Sequence, residues 1–274
     1  MILVVASTKD VASLNIRTQV LRNYNFTEET EKFDSNPTYK AKINDNDVQL
    51  ITLSSESIYS QNLPESFNDL ELVIFISRHS SISGKPTLSV HTPGNLAEAE
   101  LGGIPRAVSV CPANSMRTAL IAMSKLKNEM QLDYEVSYEC THHGPSFNLP
   151  AMFVELGSSL QQWNDSKAAE AVAHSAIEAV KQFGNHSART VTGIGGPHYN
   201  AKFTRMALEG NVAFGHMIPK YVISRMDSSM IRQCVQRTVE KVDTVMLDWK
   251  GIKGEDKPRL VETLKEADVK FEKT

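Results

Sequence analysis

Residues 72–79 read Leu72-Val73-Ile74-Phe75-Ile76-Ser77-Arg78-His79. A short apolar, β-branched run of this kind is a strand candidate, and this one delivers a histidine at its carboxyl end. Similar runs occur at 2–6, 48–53, 107–111, 134–141, 152–156, 190–194, 212–216 and 244–247. Helical patterns separate them. Met116, Leu120, Met123, Leu126 and Met130 recur at helical spacing after Asn114. A second pattern, Ala168, Val172, Ala176 and Val180, follows Asn164 as expected N-cap and stops near Gly184. Others follow Ser228 and Pro258, and a short one spans residues 200–208. The alternation predicts an α/β fold with a central, mostly parallel or mixed sheet and helices on both faces. Residues 23–47 are polar and charged and read as a long surface excursion. One domain over residues 1–274 is expected, with room for a C-terminal subdomain after about 195.

Composition narrows the class. The 274 residues are 41% hydrophobic and 22% charged, which is ordinary for a globular chain. No window reaches the roughly 20 apolar residues of a membrane span. The first residues, Met1-Ile2-Leu3-Val4-Val5-Ala6, lack the basic flank of a signal peptide. Cys111, Cys140 and Cys234 are too few for a disulfide scaffold, so a reducing cytoplasm is the expected setting. The net charge of −3 excludes a general polycation. Residues 181–241 nevertheless hold 9 Lys/Arg against 3 Asp/Glu, a segment able to meet a polyanion locally.

The histidines carry the chemistry. Of the 8, six follow strand-like runs or sit in Gly/Pro-rich turns: His79, His91, His142, His143, His198 and His216. Sites in open α/β sheets form outside the carboxyl ends of strands, so these imidazoles are expected to share a cleft. Neutral imidazole is a common zinc ligand, and its pKa near 6.5 also suits proton transfer. His174, inside a helical pattern, and His186, in a Gly-Asn turn, read as ordinary polar groups. Glu98, Glu100, Glu139 and Glu155 are the carboxylates that could act as bases or additional ligands, although such a residue is more often solvated. Alternation puts Glu139 and Thr141 on one strand face and His142 on the other, so Glu139 joins the cluster only through a bend near Thr141. Gly193-Ile194-Gly195-Gly196 lacks the spacing of a Walker or dinucleotide loop and reads as a tight turn or an anion nest.

Four motifs together, Ser77-Arg78-His79-Ser80-Ser81, Ser89-Val90-His91-Thr92-Pro93-Gly94-Asn95, Thr141-His142-His143-Gly144-Pro145-Ser146 and Gly193-Ile194-Gly195-Gly196-Pro197-His198-Tyr199, resemble those of the D-aminoacyl-tRNA deacylases of archaeal and plant type. The resemblance extends over essentially the whole chain. It implies hydrolysis of the ester between a D-amino acid and the tRNA 3′ end. It also implies zinc and a fold similar to peptidyl-tRNA hydrolase and the nucleoside phosphorylases. No obligate protein partner is implied.

The resemblance supplies no ligand list; from the residues themselves zinc binding is expected of His91, His142, His143 and His198, with one histidine of the site left to shuttle a proton. Catalytic roles go to His79, Thr141, His142, His143 and Glu139. Substrate contacts go to Ser80, Ser81, Gly144, Gly195, Gly196, Lys202, Arg205 and Arg225. The glycines would supply oxyanion donors and the basic residues phosphate contacts. The competing readings are a phosphorylase or peptidyl-tRNA hydrolase on a similar fold, and a non-catalytic RNA-binding module.

Overall fold

Every residue of Ile2–Ser7 (β1) is buried, and this strand sits at the middle of the larger of two main sheets. A computed structural model describes residues 1–185 and 187–274; the turn expected at His186 lies outside them. After β1 come Val11–Asn23 (α1), Thr27–Phe33 (β2), Asn36–Ile43 (β3), Asn46–Leu53 (β4), Leu72–Ser80 (β5), Thr87–His91 (β6), Gly94–Asn95 (β7) and Ala107–Val108 (β8). The chain continues through Ala113–Glu129 (α2), Glu135–Tyr138 (β9), Ala151–Ser158 (β10), Leu160–Trp163 (α3), Ser166–Lys181 (α4) and Arg189–Ile194 (β11). It ends with Ala201–Glu209 (α5), Val212–Ile218 (β12), Ser228–Gln236 (α6), Thr244–Leu247 (β13), Lys257–Glu266 (α7) and Phe271–Lys273 (β14).

The large sheet runs β2-β3-β4-β1-β5-β10-β6-β9. It is mixed: β1 pairs parallel to β4 and β5, β5 parallel to β10, and β10 antiparallel to β6. Strand alternation divides its two faces. Ile2, Val4, Leu72, Ile74, Ile76, Met152 and Val154 pack with α1, α2 and α4. Leu3, Val5, Val73, Phe75 and Phe153 face the other way, onto Leu63 of a 3₁₀ turn and Phe147. The smaller sheet, β12-β11-β13-β14, is parallel throughout. Its Ile194, Ile218, Val245 and Leu247 pack on α6 and α7, while Val191, Phe214 and Met217 join Phe203 of α5 in the same core as the large sheet.

Several local expectations change. Residues 23–47 form no excursion: they build the β2–β3 hairpin and the approach to β4, closed by Asp34 and Ser35 at positive φ. β2 is charged because it is an edge strand, where Glu and Lys side chains discourage pairing with another chain. Of 107–111 only Ala107–Val108 is a strand; Val110 and Cys111 form isolated bridges. The expected strand at 134–141 keeps regular pairing only over Glu135–Tyr138. The N-cap of α4 is Asp165 rather than Asn164, because its carboxylate accepts from the amides of both Lys167 and Ala168.

Candidate active site

The site lies where β9 passes from one sheet to the other. Glu139 N–H still donates to Val90 O of β6, but Cys140 N–H donates to His198 O and Thr141 N–H to Met217 O of β12. That crossing supplies the bend that Glu139 needs. It carries Glu139, His142 and His143 over the ends of β5 and β6. On β5 and β10, Ser77 pairs with Glu155 and His79 with Gly157, so Glu155 and the His79 ring stand side by side. A Cβ at Gly157 would meet His79 Cβ at 2.6 Å, which explains the glycine there. His91, at the end of β6, stacks on Phe153 with an interplanar angle of 4°.

The cluster is tight. Glu139 is fully buried, with Oε2 2.9 Å from His198 Nε2 and Oε1 3.2 Å from His79 Nδ1. The second contact is not aligned as a hydrogen bond, and Oε1 is otherwise unpartnered. His79 Nε2 lies 2.7 Å from Tyr199 Oη, and His198 Nδ1 3.1 Å from Tyr221 Oη. His142 Nδ1 is 2.8 Å from Cys140 O, and His143 Nδ1 is 2.8 Å from Gly144 O. A carbonyl only accepts, so both protons sit on Nδ1 and both Nε2 atoms carry free lone pairs. His91 Nδ1 leans on Thr92 O at 3.3 Å, and its buried Nε2 has no hydrogen-bond partner. Imidazoles anchored through one nitrogen to a carbonyl, with the other nitrogen open, have the form of metal ligands with their outer support.

Three overlapping groups bring their ligand atoms within 4.8 Å of one another: His91–His142–His143, Glu139–His142–His198 and His79–Glu139–Glu155. The first is a three-nitrogen set suited to zinc, and the other two add carboxylates. The unpartnered His91 Nε2 and Glu139 Oε1 are the atoms that a cation would satisfy. The residues present therefore fit such an ion.

Burial and neighbouring charge set the protonation. Burial pushes His91 down to about 4 and His143 down to about 3. His142 is held well below its ordinary range by burial and by His143 and His91. Burial also opposes charge on His79, but Glu139 and Glu155 outweigh it and raise its pKa. Burial would raise Glu139, yet His198 and His79 hold it well below the carboxylate range. Burial and the charge on Glu139 push Glu155 well above it. These shifts drive His91, His142 and His143 towards the neutral imidazole, His79 towards the imidazolium, Glu139 towards the carboxylate and Glu155 towards the neutral acid.

His79, His91, His142, His143, His198 and Glu139 thus meet in one place. Other assigned residues do not act as expected. Thr141 Oγ1 lies 3.0 Å from Nδ1 of buried His216, whose Nε2 faces the carbonyls of Ser109 and Arg237. Nε2 must donate to those carbonyls, so the Thr141 proton is committed to Nδ1, and His216 supports the site from below rather than lining it. The Gly144 amide donates to Leu101 O, Gly195 to Ile218 O and Gly196 to Gly251 O. None of these is a spare oxyanion donor. Lys202 is tied to Asp248 at 3.0 Å and Arg225 to Glu98 at 2.6 Å, so neither is a free phosphate contact in this structure. Arg205 is exposed on α5, with no ion pair among the described residues. Ser80 lines the cleft, and Ser81 lies beyond it, bonded to Ser83. Cys140 points to Pro197 O and is no ligand of the cluster.

Tyr199, Tyr221, Asp10 and Arg78 are given no role by the sequence, although Arg78 and Tyr199 stand within its motifs. Tyr199 directly follows His198, the one signal available. Glu155, a candidate base or ligand more often found solvated, is 3% exposed and stands in one of the three ligand groups; its position inside the apolar run 152–156 is the sign of a buried carboxyl. Gly144 has a packing role: a Cβ there would lie 2.2 Å from Gly103 N and 2.4 Å from Gly102 C. Gly144→Ala should destabilise the chain by more than about 3 kcal/mol, since backbone cannot yield as a side chain can. A melting temperature within a degree or two of the parent would contradict this.

Two cavities flank His142 and His143. One, of about 440 Å³, is lined by Asp10, Glu56, Arg78, His79, Glu155 and Tyr199. The other, of about 310 Å³, is lined by Leu96, Pro219, Tyr221, Val222 and Arg225. Leu101 lines both.

Known proteins place this arrangement. A D-aminoacyl-tRNA deacylase family profile matches residues 66–272. A D-aminoacyl-tRNA deacylase of Thermococcus kodakarensis is 36% identical, with 98% of both chains covered. That of Pyrococcus horikoshii is 37% identical, again with 98% of each covered. The crystal structure of AF0625, a conserved protein of unknown function, superposes with a TM-score of 0.88 at 28% identity, covering 100% of this chain and 95% of that one. With the profile spanning most of its length and relatives matching it from end to end, the chain belongs to the D-aminoacyl-tRNA deacylase family.

Proposed function

We propose that this chain hydrolyses the ester of D-aminoacyl-tRNA, releasing the D-amino acid and free tRNA, with zinc held at the histidine cluster. The observation that carries the reading is the set of open imidazole nitrogens on His91, His142 and His143 beside the buried Glu139–His79 pair. A zinc ion bound there would bring the pKa of a bound water to about 7.

The chain's own residues supply the rest. Backbone carbonyls of Thr92, Cys140 and Gly144 fix the three rings. Glu139 keeps His79 protonated and holds His198 in place. Ester cleavage expels a ribose oxygen that needs a proton. His79, with Tyr199 Oη on its Nε2, is the group in the larger cavity able to give one. Phe153 and Leu101 shield the cluster from bulk water. The carboxylates of that cavity suit the α-ammonium of the amino acid. We further read the chain as one domain working in the cytoplasm: three buried free cysteines fit a reducing compartment. No helix of the described residues is long and apolar enough to cross a membrane.

Purified protein should deacylate a D-aminoacyl-tRNA and spare its L-counterpart. Dialysis against a chelator should abolish the activity, and zinc should restore it. Survival of both esters in the presence of zinc would end the deacylase reading. Full activity after verified metal removal would end the zinc reading alone.

A further inference from the structure

The geometry points to a division of the substrate across His142 and His143: the 310 Å³ cavity beside Tyr221 seats the terminal nucleoside of the RNA, and the carboxylate-lined cavity takes the aminoacyl group. This rests on the proposed reaction, and it assigns each half of the substrate its place.

The walls differ in kind. The larger cavity sets Asp10, Glu56 and Glu139 against Arg78 and His79, beside a Glu155 that burial drives towards its neutral form, so its walls are polar and ionic and offer the carboxylates an ammonium group needs. The smaller one is lined by Leu96, Pro219 and Val222 and one aromatic ring, together with Glu98, Glu100 and Arg225. Tyr221 is 55% exposed, and among the described residues no aromatic ring or cation packs on it. An open aromatic face beside apolar walls is what a neutral base stacks on. The ring is also tied to the reaction centre, because its hydroxyl lies 3.1 Å from His198 Nδ1. A base on Tyr221 therefore leaves the 3′ ribose near His142 and His143. Lys220, exposed and next to the ring in the chain, lies where the phosphates of the incoming strand would pass. Leu101, half exposed and shared by both cavities, stands over the boundary.

The test compares Tyr221→Ala with Tyr221→Phe. The unacylated trinucleotide CCA serves as binding probe, measured by calorimetry without turnover. Phenylalanine keeps the stacking face and loses only the hydroxyl. Tyr221→Ala should weaken CCA binding and raise KM for D-aminoacyl-tRNA by about 5- to 150-fold, the range of one lost base stack. Tyr221→Phe should keep CCA binding and KM within about twofold of the parent. Equal loss in the two variants, carried by kcat, would make Tyr221 a positioning residue for His198 and overturn the seat. So would CCA binding that ignores both substitutions, or no CCA binding by the parent. If the parent binds CCA in a Tyr221-dependent way but cleaves no ester, the seat stands and the proposed reaction falls.

Discussion

Glu139→Gln should lower kcat/KM for D-aminoacyl-tRNA by about 10²- to 10⁴-fold, the range lost with a general acid–base group, while the fold survives. The substitution keeps shape and removes charge. The introduced amide still has an oxygen for the proton of His198, which Glu139 meets at 2.9 Å. It no longer holds His79 protonated, because the carboxylate 3.2 Å from His79 Nδ1 is what overcomes the cost of burying that charge. Glu139 also belongs to two of the three groups able to hold a cation. Metal affinity should fall by about 10- to 100-fold even if Glu139 only orients the ligating rings. The sign of the pH effect follows. His79 must be protonated to act as acid, and without Glu139 its pKa drops. The alkaline limb of the pH–rate profile should therefore move to lower pH in the variant. Activity within tenfold of the parent, with an unmoved alkaline limb, would remove Glu139 from the centre of the site.

How far the sequence discloses this arrangement depends on how local the determinants are. Strands β1, β5 and β10 are legible because they are buried on both faces and read as unbroken apolar runs. The β2–β3 hairpin is not, because its edge position fills it with Glu and Lys. α1 is also hidden: its buried face includes Ser13 and Gln19 beside Ala12, Ile16 and Val20, which blurs the helical period. The histidine cluster is legible because each member ends a strand or opens a turn. Roles that depend on remote main chain are not. Gly144, Gly195 and Gly196 look like free donors until Leu101, Ile218 and Gly251 are seen to take their amides. Thr141 looks available until His216, 75 residues away, takes its proton. The charges of Lys202 and Arg225 are likewise answered by Asp248 and Glu98, which no linear count pairs with them.

The metal-free chain should lose stability steeply as pH falls from about 6.5 towards 4. His91 and His216 are both fully buried, and burial holds each pKa down to about 4. In the unfolded chain the same groups take a proton near 6.5. Over this window the unfolded state binds more protons than the native state, so acid favours unfolding. Each imidazole contributes up to about 1.4 kcal/mol per pH unit, or roughly 3 kcal/mol across the window. Two such losses are comparable with a typical total stability of about 5–15 kcal/mol. His142 and His143, also depressed, add to the same trend. Glu155 and Asp10, whose pKa values burial raises, oppose the trend over part of the window, but they are fewer than the depressed imidazoles. His79 does not oppose it. Its pKa is raised, so its contribution is complete below 6.5 and is lost only above its folded pKa. The depressed Glu139 adds its loss later, once the pH passes below the ordinary carboxylate range. Urea unfolding at pH 7.5, 6 and 5 reads the slope directly. His216→Asn isolates one group away from the histidine cluster: less stable at pH 7.5, the variant should nevertheless show a flatter dependence, by up to about 1.4 kcal/mol per pH unit. Parallel curves for parent and variant, or stability unchanged between pH 7.5 and 5, would mean that His216 is not the neutral buried support on which Thr141 rests.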